Sequence, residues 1–400
     1  MPTIASKKKK NLVRGNLNPG WSLLNPNPTQ LKDEIESILA EVDIKINGSR
    51  PWDLQVHNEH FYSRVISQGS LGLGEAYVEG WWDCPRLDEM FSKILRARLH
   101  ECILRENLAS RLFILGSWLW NWQSLSLSSQ VAQQHYELGN DLYQAMLDPT
   151  MTYSCGYWQR ANNLAAAQQA KLDLICQKLQ LSPGMTLLDI GCGWGSLMKY
   201  AAQKYGVSCI GITISTEQIK LGQQLCAGLP VQFLLLDYRN LPNRQFDRIV
   251  SVGMFEHVGH KNYRRFMEVV ARCLREDGLF LLHTIGNRYS VTYSERWTDR
   301  YIFPHGMLPS LAQIFRATQK LFVTEDLHNF GSDYDKTLMA WLENFERNWH
   351  QLRPQYGERF YRQWKYYLAL MAASFRSRNI QLWQIVFSTN GILGGYHSVR

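Results

Sequence analysis

Leu187-Leu188-Asp189-Ile190-Gly191-Cys192-Gly193-Trp194-Gly195 ends an apolar run on an acid and then sets glycine at three alternate positions, after which a helical pattern begins. Glycine has no side chain to obstruct a ligand and tolerates unusual dihedrals, so a strand ending this way brings backbone close to a bound molecule. The spacing is GxGxG rather than the GxGxxG of dinucleotide binders, and no GK[ST] follows for a triphosphate. Outward from this stretch the pattern alternates strand and helix. Thr186–Ile190 reads as a first strand, Val207–Thr213 as a second and Val231–Leu236 as a third; Asp247–Val252 and Leu279–His283 follow. Apolar strands separated by helices predict an α/β fold, Rossmann-like, with a parallel sheet covered by helices on both faces. In such sheets ligands bind beyond the carboxyl ends of the strands. The glycines, Thr213, Asp237 and Glu256 all fall on that rim.

Four hundred residues exceed what one core usually takes, so two domains are expected. The division is a basic arm over 1–29, a smaller, mainly helical domain over 30–112, a Trp-rich connector over 113–130 and the α/β domain over 131–400. In the arm, Lys7 to Lys10 precede Pro, Asn and Gly. It reads as flexible, and its lysines serve either as a solvated tail or as attraction to phospholipid headgroups, each worth about 1 kcal/mol at an anionic surface. Gln68 to Asp83 is rich in glycine and aromatics. Spacing alone leaves open whether it grips an acyl chain, lies at a membrane surface or forms a tight packing corner. Residues 112–122, Leu-Phe-Ile-Leu-Gly-Ser-Trp-Leu-Trp-Asn-Trp, suit either an interfacial segment or a buried connecting helix. Residues 341–376 read as helical and aromatic.

No apolar run reaches the roughly 20 residues needed to cross a bilayer, and no signal peptide is visible. The eight cysteines are scattered, without CxxC or zinc-finger spacing, so free thiols in a reducing cytoplasm are expected and no metal site. The net charge of +8 suits an anionic partner, and 14 Trp with 19 Tyr favour lipid over nucleic acid. A nucleic-acid methyltransferase should carry N/D-P-P-Y/F or a Pro-Cys nucleophile where this chain has Gly253-Met-Phe-Glu-His-Val.

The apolar-Asp-x-Gly-x-Gly-x-Gly form resembles the nucleoside-methionine loop of class I S-adenosylmethionine (SAM) methyltransferases. SAM needs close backbone approach, which Gly191, Gly193 and Gly195 provide, with Cys192 and Trp194 between them and Asp189 orienting the loop. Thr213, Ser215 and Gln218 are placed to meet the ribose, and Asp237 with Tyr238 the edge and face of adenine. Many methyltransferases of this fold end the second strand on an acid; Thr213 stands there instead, which points to a subgroup.

A second constellation exceeds what a generic methyltransferase needs: Tyr153-Ser154-Cys155, Phe255-Glu256-His257, His283-Thr284-Ile285 and Asp333-Tyr334. With His135 to Asp141, Gly253 to Gly259, Phe303-Pro304 and Gln381-Leu-Trp383, it resembles the bacterial cyclopropane-fatty-acyl-phospholipid synthases over nearly the whole chain. The resemblance implies transfer of the SAM methyl to a cis double bond of a phospholipid acyl chain, followed by proton loss and ring closure. It also implies a bound bicarbonate as base, in a pocket of Cys155, Glu256, His283, Tyr334 and the backbone of Ile285. Tyr136, Tyr153 and Ser154 join the SAM site by the same route, and a homodimer docked on the cytoplasmic face of the inner membrane is implied. Some relatives carry cysteine at the place of Met371; methionine cannot act as a thiol nucleophile.

The chemistry agrees with that set. An alkene is already a nucleophile, so no activated serine or cysteine is required. The demands are shelter of a cation among aromatic faces and a weak base close by. Glu256 either completes the bicarbonate pocket or is itself the base. Rival outcomes on the same double bond are a methyl branch, a methylene or a hydroxyl, and an amine N-methyltransferase is the other alternative.

Overall fold

The computed structural model describes residues 28–99 and 139–400. Lys7 to Lys10, residues 112–122, the connector and Tyr136 lie outside the described residues.

The first described stretch is mainly helical: α1 (Pro28–Ala40), β1 (Gln55–Val56), α2 (His60–Gln68), α3 (Ser70–Val78), β2 (Trp82–Asp83) and α4 (Leu87–Arg96). Two helices, α5 (Asn140–Met146) and α6 (Leu164–Lys178), lead into the sheet. Then come β3 (Thr186–Ile190), α7 (Ser196–Tyr205), β4 (Ser208–Thr213), α8 (Thr216–Leu225), β5 (Val231–Leu235), β6 (Phe246–Val252), α9 (Tyr263–Cys273) and β7 (Leu274–Asn287). The chain closes with α10 (Arg296–Tyr301), α11 (Leu311–Thr318), β8 (Val323–Asn329), α12 (Ser332–Arg376) and β9 (Ile380–Ser388).

The seven-stranded sheet runs β5-β4-β3-β6-β7-β9-β8. The five predicted strands are all present and parallel, as expected of β-α-β units. The sheet is not wholly parallel, however. β9 enters from the end of α12 and runs antiparallel to both β7 and β8. Its sequence Ile-Gln-Leu-Trp-Gln-Ile-Val-Phe-Ser is almost entirely buried, as a central strand must be. Strand order reverses between β3 and β6, which opens a crevice at their carboxyl ends.

Helix α12 is a hairpin rather than one rod. Gly357 has φ 71 and ψ 168, three residues after Pro354, and the chain folds back there. The two arms meet along their length: Phe345 lies on Tyr361 with centroids 5.7 Å apart, and Phe375 stacks on Tyr334 at 4.5 Å. Arg376 Nε donates to Asp335 at 2.9 Å, which locks the open ends together.

The first stretch and α12 share one apolar core. The buried Tyr366 ring meets Tyr77, Phe91 and Trp297. Arg362 donates to Tyr77 O and to Asp83, and Arg376 Nη1 to Asp88. The glycine-rich part of the 68–83 stretch is a packing corner. Gly74 lets α3 approach the indole of Trp297, and a Cβ there would collide with it. Gly74→Ala is therefore expected to destabilise the fold by about 1–3 kcal/mol, the cost of overpacking a filled core. A urea melt checks it: the midpoint falls with unchanged slope, and an unaltered midpoint contradicts the corner.

Candidate active site

The crevice beyond β3 and β6 is lined by the glycine loop, Tyr153, Ser154, Asp189, Thr213, Gln218, Asp237, Tyr238 and a far wall of Met254, His257 and Phe303. Gly191, Gly193 and Gly195 all adopt positive φ (90, 55 and 85), where L side chains are strained. A Cβ on Gly191 would strike Met254 and one on Gly195 would strike Phe233, whereas Gly193 faces open space. The loop is pinned by Gly191 N and Cys192 N, which donate to Ile212 O at 2.9 and 3.1 Å. Trp194 Nε1 donates to Asn140 at 3.0 Å, tying the loop to α5. Gly195 sits below the crevice as the residue that starts α7.

Asp189 is buried at the crevice floor, and burial pushes its carboxyl up to about 7 against the pull of Lys171. Lys171, absent from the sequence-based site, is buried in α6 and donates to Ser154 Oγ at 2.8 Å. Burial lowers its ammonium to about 8, opposed by Asp148, Cys155 and Asp189. A lysine on the apolar face of a helix was its signal. Thr213 Oγ1 donates to Gln218 Oε1 at 2.8 Å, so this pair stands where relatives of the fold keep an acid. Ser215 is outside the crevice wall; its hydroxyl caps α8 by accepting from Gln218 N. Asp237 is gripped by the Arg239 fork at 2.8 and 2.6 Å, a partner that spacing alone did not single out. Tyr238 turns its ring edge against Phe266, so it joins the core as well as the wall.

The second constellation gathers behind this crevice. Glu256 follows β6 in a short 3-10 turn and is 7% exposed. Its Oε1 accepts from Ile285 N on β7 at 2.6 Å, while Oε2 has no hydrogen-bond partner among the described residues. Burial raises its carboxyl to about 7, moderated by the Ile285 bond. Two residues before Ile285, His283 is 1% exposed. Gln384 Nε2 on β9 lies 3.2 Å from its Nδ1; with the amide donating there the ring proton sits on Nε2, which has no partner among the described residues. Burial and the charges of Lys171 and Lys178 hold the ring well below its usual pKa, hence neutral. Gln384, a polar residue in an apolar strand, is a second participant the sequence reading left out.

Cys155 is fully buried, its thiol at 3.1 Å from Gly156 O and raised by burial, so it stays protonated. The loop carrying it is tied to α12 by Thr337 Oγ1, which accepts from Gly156 N at 3.1 Å and Trp158 Nε1 at 2.9 Å. Tyr153, Trp341, Tyr334 and Phe375 form a continuous aromatic wall, extended through Tyr367, whose hydroxyl is 3.0 Å from that of Tyr153, to Phe303. Met371 is half-buried beside this cluster. The N–H of Ile285 is committed to Glu256, so it orients the carboxylate.

The profile of the mycolic acid cyclopropane synthetase family matches residues 123–385. The chain belongs to this family. It is 54% identical over 363 residues to the cyclopropane-fatty-acyl-phospholipid synthase of Escherichia coli K12, covering 91% of this chain and 94% of that one. Cyclopropane mycolic acid synthase 1 of Mycobacterium tuberculosis is 38% identical over 61% of this chain and 91% of its own length. Among solved structures, a mycolic acid cyclopropane synthase complexed with SAH and CTAB superposes with TM-score 0.61 at 35% identity, over 65% of this chain and 97% of that one. The fold is that of a class I methyltransferase, and SAM is the methyl donor of this family member.

Two outcomes follow from this geometry. Gly193→Val is expected to abolish SAM binding, since a branched side chain there is strained and fills the open face; unaltered affinity in calorimetry contradicts the loop's role. The second concerns pH. A carboxyl raised on folding makes the native state hold its proton longer than the unfolded chain, so its burial costs stability only as pH rises from about 4.5 to about 7. Glu256→Gln, which keeps an acceptor for Ile285 N, is thus expected to gain on wild type by about 1–3 kcal/mol between pH 5 and pH 8. Denaturant midpoints at both pH values read it, and a pH-independent difference contradicts it.

Proposed function

We propose that this methyltransferase alkylates the cis double bond of unsaturated acyl chains in membrane phospholipids and closes a cyclopropane ring. The observation that carries the reading is the buried Glu256, fixed by Ile285 through one oxygen and without a partner at the other among the described residues, together with His283 Nε2, two residues before Ile285 on β7, which also has none. A carboxylate is not buried in this way for packing, because an unpaired acceptor costs free energy. The 54% identity to the Escherichia coli synthase supports the same chemistry.

SAM supplies an electrophilic methyl, and bicarbonate supplies a weak base. The alkene's π electrons form the new carbon–carbon bond as the carbon–sulfur bond breaks. The acyl chain is left cationic, and loss of a proton from the added methyl frees the electron pair that closes the ring. The aromatic wall from Tyr153 to Phe375 faces such a cation favourably and excludes water. Bicarbonate has a hydroxyl to donate and oxygens to accept. Glu256 Oε2 suits the first and His283 Nε2–H the second, so the two orphaned atoms fit the ion, with Tyr334 and Cys155 completing the surroundings. Neutral His283 and buried Glu256 keep the proton acceptor poised near neutral pH.

No helix among the described residues is long and apolar enough to cross a membrane. Access to a bilayer substrate therefore suggests peripheral docking on the cytoplasmic face of the inner membrane, with the first domain handling lipid. A homodimer would add avidity through two such faces.

The test is incubation with SAM and vesicles of cis-unsaturated phospholipid, followed by mass spectra and proton NMR of the released fatty acids. The expected product is one methylene heavier, with vinyl signals lost and high-field ring protons gained. Glu256→Gln should bind SAM normally yet turn over about 10²–10⁴-fold more slowly, the range for loss of acid–base catalysis. A heavier product without ring protons would indicate a branching or methylene-forming enzyme, and methylation of an amine instead would overturn the reading.

A further inference from the structure

Three residues past Ile285, β7 gives way to Arg288. Three residues past Phe375, the turn between α12 and β9 presents Arg378. Both guanidinium groups border a recess whose opposite side is the end of α4, with Arg96 and Arg98. All four arginines are exposed, and no carboxylate is among the described residues that line the recess. Like charges converging in one concavity repel, so packing alone does not favour the arrangement. Elsewhere along this seam arginines are paired with carboxylates: Arg64 with Glu75 and Glu79, Arg86 with Asp88, and Arg376 with Asp88 and Asp335. By contrast Arg96 and Arg288 have no hydrogen bond or ion pair among the described residues, and Arg378 has only a long contact of 3.4 Å to Asn329.

Guanidinium forks arranged around a concavity recognise phosphate oxygens in pairs. The position decides which phosphate. Ile285 holds Glu256, and three extended residues carry the chain about 10 Å further to Arg288. On the other side, Phe375 stacks on Tyr334 of the aromatic wall. The recess therefore stands off the reacting centre by a distance of the order that separates a phospholipid's phosphate from the middle of its acyl chain. It also lies where α4 of the first domain meets the catalytic domain, with Leu95 in its wall to meet the apolar part of a lipid.

We propose that the recess of Arg96, Arg98, Arg288 and Arg378 binds the phosphodiester of the phospholipid whose acyl chain is being alkylated. This rests on the lipid reaction proposed above, and it adds the anchor that sets substrate register.

The test compares wild type with the full-length Arg288→Gln/Arg378→Gln double variant, both positions being exposed. Turnover is measured on vesicles of dioleoyl phosphatidylglycerol and on dioleoylglycerol dispersed in neutral detergent, which has the same acyl chains and no phosphate. The KM for the phospholipid is expected to rise about 10- to 30-fold, from the typical attraction of two basic residues to anionic lipid. SAM affinity and turnover of dioleoylglycerol should be unchanged. An unaltered phospholipid KM, or an equal loss on both lipids, overturns the proposal. Inorganic phosphate at constant ionic strength should not compete with the vesicles in wild type; competition that disappears in the variant would assign the recess to free phosphate and overturn the lipid assignment. If wild type makes no product from either lipid, the proposed reaction itself has failed. Co-sedimentation with the same vesicles still reads the recess in that case: weaker binding by the variant supports it, and equal binding overturns it.

Discussion

A carboxylate out of water with one oxygen satisfied and the other not is the constraint around which this molecule is arranged. Glu256 is held by Ile285 N at 2.6 Å, and that bond exists only because the turn after β6 lies against the end of β7. An unpartnered buried oxygen costs free energy that the surrounding core must offset. The fold also leaves His283 Nε2 on β7 without a partner among the described residues, its ring oriented by Gln384 from β9. The antiparallel insertion of β9 next to β7 is thus what supplies the histidine's partner, and hence its donor. With a sheet ending at β7, the imidazole would have neither a fixed tautomer nor an apolar cover.

The same economy governs the wall opposite. Tyr334 and Phe375 lie 41 residues apart in one helical element and touch only because Pro354 and Gly357 turn α12 into a hairpin. Thr337 ties the first arm to the loop of Cys155, and Tyr367 on the second arm meets Tyr153. The second arm is braced by the first described stretch through Tyr366, Arg362 and Arg376, and Arg376 passes that brace to the first arm through Asp335. The amino-terminal helices are therefore part of the structure that keeps the aromatic wall in place, not an appendage to it.

Much of this arrangement can be read in the sequence. The glycine loop announced the crevice, and the strands β3 to β6 lie close to their predicted bounds, because each carries a mainly apolar stretch between turn signals. β7 extends beyond the predicted Leu279–His283 at both ends, where charged residues obscure its start. β8 escaped notice because Val-Thr-Glu-Asp-Leu-His-Asn is an edge strand with a largely polar, half-exposed sequence. β9 is likewise absent from the sequence-based strands, since its apolar run follows a long helix rather than a β-α unit. The hairpin in α12 was signalled by Pro354 and Gly357, yet continuous aromatic periodicity on both sides masked it. The site residues Glu256, His283 and Cys155 were identified through motifs. Their fixing partners Gln384, Thr337 and Lys171 come from elements distant in sequence, and local pattern carries no record of such contacts.

On the proposed reaction, Glu256 Oε2 and His283 Nε2, both without partners among the described residues, hold the ion that removes the proton. Carbon-13 NMR of enzyme given labelled bicarbonate, with turnover followed in carbon-dioxide-free buffer, tests it most directly. A bound resonance is expected in wild type and is lost in Glu256→Gln, together with turnover that falls on bicarbonate depletion and returns on its addition. Turnover indifferent to bicarbonate, with no bound resonance, would contradict it and leave Glu256 itself as the base.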